Sequence, residues 1–213
     1  MTADETVAGA TDHEFRVLSR TERFRGPVFR LITDEVAMPG GRTAARDYLA
    51  HVGAVGVVAL DDDGRVVLIR QYRHPVAAHL WELPAGLFDV AGEQPSATAA
   101  RELAEEADLT AGRWDLLADI HPTPGASDEL IRLFLARDLA PVPHHERHNR
   151  SDEEAGLTVR MVDLDEAVGM VFTGEITNAA CVAGLLAAAR ARELDWAPLR
   201  PADTPLVRTG SAR

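Results

Sequence analysis

Residues Gly86 to Leu109 read GLFDVAGEQPSATAARELAEEADL, and Trp81-Glu82-Leu83-Pro84-Ala85 leads into them. Gly86, Gly92 and Pro95 break any helix that would start earlier, and the Ser96 hydroxyl can cap a new one. From Ser96 to Ala107 the stretch is rich in Ala, Leu, Glu and Arg, which lose little side-chain entropy in a helix. The sequence therefore predicts a turn-rich loop that enters a short helix. At about 3.6 residues per turn, Ala99, Leu103 and Ala107 share an apolar face, and Glu102, Glu105 and Glu106 fall on the adjoining polar face.

Three carboxylates side by side have two explanations. They could be a solvated face, because a like-charge pair at this spacing destabilises a helix by only about 0.2–0.5 kcal/mol. They could instead collect Mg²⁺ or Mn²⁺, hard cations that prefer oxygen ligands. Arg101, four residues before Glu105, can hold one carboxylate by an ion pair, and the local sequence offers the others no cation. Helix spacing alone does not choose between the two.

The wider arrangement does. Gly86, Glu93 and Arg101-Glu102-Leu103-Ala104-Glu105-Glu106 resemble the box of the Nudix hydrolase family: Gly, five residues, Glu, seven residues, Arg-Glu-apolar-x-Glu-Glu-x-Gly-apolar. The seven-residue gap, the Arg-Glu-Leu-x-Glu-Glu core and the final Leu109 are kept. Two positions depart. Six residues, Leu87 to Gly92, stand where the family has five, so the loop must bulge if Gly86 keeps its place. Asp108 replaces the Gly at the helix end, where a left-handed backbone is usual and Asp is better tolerated than most residues.

The resemblance implies hydrolysis of a nucleoside diphosphate linked to another group. The implied metal ligands are Glu102, Glu106, Glu105 and the backbone carbonyl of Ala85. Arg101 joins the catalytic set by orienting Glu105 or Glu93, and Glu93 braces the loop. Thr123-Pro124-Gly125-Ala126-Ser127-Asp128-Glu129, about 15 residues past the box, resembles the ADP-ribose pyrophosphatase branch, as do Gln71-Tyr72-Arg73-His74 and Trp81-Glu82-Leu83-Pro84-Ala85-Gly86. That branch implies substrate contacts from Arg46, Arg73, Leu87, Gly125 and Ser127. It also implies a glutamate on a late loop that serves as base or extra metal ligand. Glu153 and Glu154 are the candidates, with Glu154 preferred. The branch further implies a homodimer in which residues 14–51 exchange between subunits. Its expected reaction converts ADP-ribose to AMP and ribose 5-phosphate with Mg²⁺, Mn²⁺ being the other candidate ion. Another nucleotide sugar or dinucleotide as substrate, and a non-catalytic nucleotide sensor, are the competing functions.

Composition bounds these readings. The 213 residues suit one domain with a small appendage, and 46% apolar with 26% charged residues is ordinary for a globular protein. A net charge of −12 argues against nucleic acid or an anionic membrane as partner and favours a small phosphorylated ligand met through a metal and a few arginines. Cys181, the single cysteine, lies in an apolar run and reads as a buried core thiol. The first 20 residues hold no apolar signal-peptide core, which points to the cytoplasm.

Along the chain, Met1–His13 reads as a tail. Phe15–Phe24, Val28–Met38 and Arg42–His51 read as an antiparallel strand unit. Val52–Leu60 is a continuous apolar run, the mark of a strand buried on both faces, and the Asp61–Gly64 turn predicts a hairpin with Val66–Arg73. Trp114–Ile120, Leu130–Ala136 and Leu157–Val162 read as strands, Asp165–Phe172 and Asn178–Arg192 as helices. His144, His145 and His148 read as part of a solvated loop, and the end from Pro198 as loosely held. The expected organisation is a strand unit over 1–51, a main domain over 52–197 and a tail over 198–213. The expected fold is α+β, an α/β/α sandwich around a mixed sheet, an assignment that rests mostly on the resemblance.

Overall fold

The structure, a computed structural model, describes residues 15–148 and 156–206. These form two units. The smaller holds residues up to His51 together with Thr123–Asp128; the larger holds Val52–Pro122 and the residues from Glu129 onward. The tail Met1–His13 lies outside the described residues, as do Glu153 and Glu154.

The smaller unit is an antiparallel sheet, β1 (Val17–Arg25), β2 (Phe29–Met38) and β3 (Arg42–His51), with β2 in the middle. Gly40 and Gly41, both at positive φ (78° and 76°), turn β2 into β3. The Thr123–Asp128 loop adds to β3 by a parallel bridge from Ser127 to Leu49. The Leu49 N–H donates to Ala126 O, the Asp128 N–H to Leu49 O, and the His51 N–H to Asp128 Oδ1 at 2.7 Å. Asp34 on β2 is buried and stands across the ladder from Arg20 on one side and Arg46 on the other. Arg20 takes the carboxylate, donating from Nε and Nη2 at 2.8 Å each.

The larger unit contains β4 (Ala54–Ala59), β5 (Arg65–Arg73), β6 (Ala78–Glu82), β7 (Ala85–Leu87), α1 (Pro95–Ala107), β8 (Leu109–Ile120), β9 (Ile131–Pro141), β10 (Thr158–Asp163), α2 (Leu164–Phe172), α3 (Ala179–Glu193) and β11 (Arg200–Pro201). A five-stranded mixed sheet runs β11-β8-β9-β4-β7, with β4 and β9 parallel; a three-stranded antiparallel sheet runs β10-β5-β6. Every residue of β4 is buried, and alternate side chains feed opposite cores. Val55, Val57 and Ala59 pack with Ala99, Leu103 and Ala107 of α1, and Val58 packs with Leu164, Cys181 and Leu185 of α2 and α3. Helices on both faces of a mixed sheet make the expected sandwich.

Three expectations need correction. The apolar run and Val66–Arg73 do not form a hairpin: β4 lies between β9 and β7, β5 belongs to the other sheet, and a single Leu60–Val66 bridge joins them at the corner. A strand buried on both faces has its ladder positions filled by central neighbours, so the acidic turn serves as a passage between sheets. The helix begins at Pro95, with Gln94 at the cap position and no side-chain cap, so Ser96 does not cap it. Pro suits a first helical position because its missing N–H would have no partner there. The end of the chain is not loose as far as residue 205. β11 pairs with Asp115 and Leu116 of β8, and the buried Arg132 donates to Asp119 and to the carbonyls of Thr204 and Pro205. Cys181 is buried as expected, which pushes its thiol up to about 12. Among the described residues no helix is long and apolar enough to cross a membrane.

Candidate active site

The site grows from the way β6, β7 and α1 follow one another. β6 pairs with β5 and ends at Glu82; Leu83 and Pro84 carry the chain across to β7, which lies against the β4 edge with Gly86 opposite Val55. The Pro84 carbonyl accepts from the Val57 N–H at 2.8 Å. α1 packs its Ala99, Leu103 and Ala107 stripe on the sheet, and this brings Glu102 and Glu106 down onto β7 rather than out into water. Only 9% of Glu102 and 4% of Glu106 is exposed. Such burial rules out a solvated face for these two residues, since an ionised carboxylate withdrawn from water needs compensation.

The compensation comes from several groups. The Ala85 N–H donates to Glu106 Oε2 at 2.8 Å. Arg101 Nη1 donates to Glu102 Oε1 at 2.6 Å and to Glu105 Oε2 at 3.1 Å. On its other side Arg101 reaches Glu93, from Nε at 3.5 Å and Nη2 at 3.3 Å, and comes within 3.9 Å of Asp89. Thr98 Oγ1 donates to Glu93 at 2.9 Å, so Glu93 ties the loop to the first turn of α1. Arg101 thus reaches Glu102 as well as the expected Glu93 and Glu105. The bonds from Arg101 and then Thr98 lower the Glu93 pKa below the ordinary carboxylate value. Burial raises that of Glu102, with help from the charges of Glu105 and Asp89 and in spite of Arg101.

Gly86 fixes the close approach. A Cβ there would stand 2.0 Å from Glu102 Oε1 and 2.1 Å from its Cδ, so only glycine lets the carboxylate lie against the strand. The six-residue spacing to Glu93 therefore leaves Gly86 in place. The longer loop passes through a turn closed by the Glu93 N–H on Val90 O, with Gly92 at φ 81°. Asp108 adopts the left-handed conformation at the helix end (φ 56°), where its N–H donates to the Leu103 and Ala104 carbonyls.

The remaining candidates divide between the units. Leu87 is half-buried on β7, opposite Ala54. Arg73, at the end of β5, donates from Nε and Nη2 to both oxygens of Glu82, at 2.9 and 2.7 Å. Arg46, Gly125 and Ser127 belong to the smaller unit, Arg46 on β3 and the other two on the loop whose Ser127 bridges to Leu49 of β3. Arg46 there donates to the Ala45 carbonyl and, at 3.8 Å, to Met38 Sδ. Sequence reading passed over Glu82 and Thr98. Glu82 carried a signal, a lone acid in the apolar stretch from Leu80 to Ala85.

Among the described residues no three His, Cys, Asp or Glu side chains converge as a ready metal cage. Glu102 and Glu105 meet at Arg101 Nη1, while Glu106 is turned to the Ala85 N–H. The donor set still fits a hard divalent cation: buried or half-buried carboxylates, two of them already bridged by one cationic nitrogen.

Comparison with known proteins places this chemistry in context. A family model described as NUDIX domain matches residues 50–183. The ADP-ribose pyrophosphatase of Mycobacterium tuberculosis is 45% identical over 196 residues, 92% of this chain and 93% of that protein. The ADP-ribose pyrophosphatase of Bacillus subtilis is 32% identical over 166 residues, 78% of this chain and 88% of that protein. A solved structure described as an ADP compounds hydrolase superposes with a TM-score of 0.73 at 20% identity, covering 85% of this chain and 96% of that one. At that identity the superposition speaks for the fold.

Proposed function

Because the chain belongs to the NUDIX family and is a pyrophosphohydrolase of that family, we propose that it cleaves ADP-ribose to AMP and ribose 5-phosphate with Mg²⁺, or Mn²⁺ in its place. The observation that carries this reading is the α1 cluster, where one guanidinium is shared by Glu93, Glu102 and Glu105 and Gly86 admits Glu102 against the strand. The two ADP-ribose pyrophosphatases, matched over most of their length, support the choice of substrate.

Glu102, Glu105, Glu106 and the Ala85 carbonyl would hold the cation. Held there, a divalent ion would supply charge to neutralise and orient the diphosphate and would acidify the attacking water. The chain's own residues supply the rest. The Ala85 N–H holds Glu106 and Arg101 steadies Glu102 and Glu105, so the acceptors are oriented before substrate arrives. Arg73 and Arg46 offer paired donors to phosphate oxygens, and Leu87, Gly125 and Ser127 complete the substrate contacts. Glu154, or Glu153 beside it, takes the proton from the attacking water, whose oxygen joins one phosphorus while the bridging oxygen leaves on the other. A homodimer exchanging residues 14–51, action in the cytoplasm and the absence of a nucleic-acid partner belong to the same proposal; the charge of −12 supports the last.

Incubation with ADP-ribose and Mg²⁺, followed by separation of nucleotides, tests the reading. Release of AMP in preference to cleavage of other nucleotide sugars is the expected result, and intact ADP-ribose would overturn it. Glu153→Gln and Glu154→Gln assayed in parallel should differ strongly in rate; two variants at wild-type speed would remove both from the role of base.

A further inference from the structure

Glu82 is a carboxylate with 3% of its side chain exposed, at the end of a strand, and both of its oxygens are committed to Arg73. Gln71, also buried, donates from Nε2 to Glu82 Oε2 at 3.3 Å and completes the lining. The partners differ sharply in exposure: 43% of the Arg73 side chain reaches solvent. The buried Arg132 is the converse, because its donors are directed inward to Asp119 and the carbonyls of Thr204 and Pro205, which it ties to the sheet. A buried ion pair contributes little to stability compared with apolar residues of the same volume, because both charges lose water. Withdrawing a carboxylate from water to grip the Nε and Nη2 edge of an arginine whose side chain is half-exposed has a different consequence. Two parallel hydrogen bonds fix the plane and heading of the group. Only Leu83 and Pro84 separate Glu82 from Ala85, whose N–H holds Glu106, so the two sets of carboxylates lie within about 11 Å of chain.

We propose that Glu82 is a positioning residue that aims the Arg73 guanidinium at the substrate's diphosphate, with Gln71 steadying Glu82 in turn. This rests on the reading of Arg73 as a diphosphate contact in an ADP-ribose hydrolase. Glu82 touches no substrate and acts only through Arg73. Its loss therefore removes the two parallel bonds that set the plane of the guanidinium and weakens binding without disturbing the carboxylates of α1.

The test is a double-mutant cycle of Glu82→Gln and Arg73→Ala, with kcat and KM measured on ADP-ribose and Mn²⁺ affinity measured by calorimetry without nucleotide. Glu82→Gln should raise KM by about tenfold or more, the usual weight of a charged hydrogen bond. It should leave Mn²⁺ affinity within about twofold, and in the Arg73→Ala background it should change KM by less than about twofold. A wild-type KM in Glu82→Gln, a full effect in the Arg73→Ala background, or a parallel loss of Mn²⁺ affinity would each overturn the inference. Should Glu82→Gln not fold, Arg73→Lys, which keeps the charge but loses the fork, must raise KM by a similar factor, and an unchanged KM would be equally fatal. If the wild-type protein leaves ADP-ribose intact, the functional reading fails by itself. The positioning inference is then decided by affinity for inorganic pyrophosphate, which must weaken in Glu82→Gln and would overturn the inference if unchanged.

Discussion

In the N-terminal sheet one guanidinium meets one buried carboxylate: Arg20 gives two parallel hydrogen bonds to Asp34, whose pKa is drawn below its ordinary value chiefly by that contact. On α1 one guanidinium is divided among Glu93, Glu102 and Glu105, with Asp89 near by, and the buried Glu102 is pushed up instead. Both regions set an arginine against carboxylates. The Arg20–Asp34 pair is matched one to one, whereas α1 holds Glu102, Glu105 and Glu106 against its own single cation, Arg101. The second arrangement costs stability and suits a visiting cation, so an imbalance retained in a buried place marks the site better than burial or charge alone.

Breaking the helix side should have the largest effect. Glu106→Gln keeps an acceptor for the Ala85 N–H, so the fold should survive while kcat on ADP-ribose falls by about 10²–10³-fold. Steady-state kinetics beside a thermal melt would check this, and retained activity would count heavily against the metal assignment. Gly86→Ala should follow. Its Cβ would overlap the Glu102 carboxylate at 2.0 Å, and a displacement of roughly an ångström can cost about 10²-fold in rate. Mn²⁺ affinity should fall with the rate; if both hold, the close approach is dispensable.

The sheet side should respond in the opposite sense. Asp34→Asn removes the carboxylate from a satisfied pair and should lower stability by about 1 kcal/mol, the exposed flank of Arg20 keeping the loss small, with kcat within about twofold. Urea unfolding read against kinetics separates the two quantities.

Acidity gives the smallest and finest contrast. Asp34, lowered from its ordinary 3.8, contributes stability that is present above that value and lost as pH falls through its folded pKa. Glu102, raised from 4.5, behaves oppositely: its contribution is present below 4.5 and lost as pH rises through its folded pKa. In metal-free protein, Glu102→Gln should therefore gain thermal midpoint over wild type as pH rises above 4.5, and Mg²⁺ should shrink that gain by stabilising the wild type alone. A constant offset across pH would contradict the assignment of Glu102 as the strained member.

Part of this was legible in the residues themselves. The helix, its apolar stripe of Ala99, Leu103 and Ala107, the strand buried on both faces and the antiparallel N-terminal unit follow from local periodicity and turn chemistry, which act over a few residues. The hairpin expected from Asp61–Gly64 failed because turn chemistry says where the chain reverses and not which strand will fill the vacant ladder; β9, more than 70 residues downstream in sequence, took that place beside β4. Ser96 failed as a cap because Pro95 had already taken the first helical position.

The sequence by itself determined the carboxylate helix and its family pattern, since spacing along one turn is a property of the chain and needs no partner. Tertiary structure alone decided that Glu102 and Glu106 are buried, that Gly86 must lack a side chain because a carboxylate lies on it, and that Glu82 grips Arg73 with both oxygens. Each of these depends on two segments meeting, and a meeting of segments is set by the packing of the whole sheet and its helices, which no single stretch encodes.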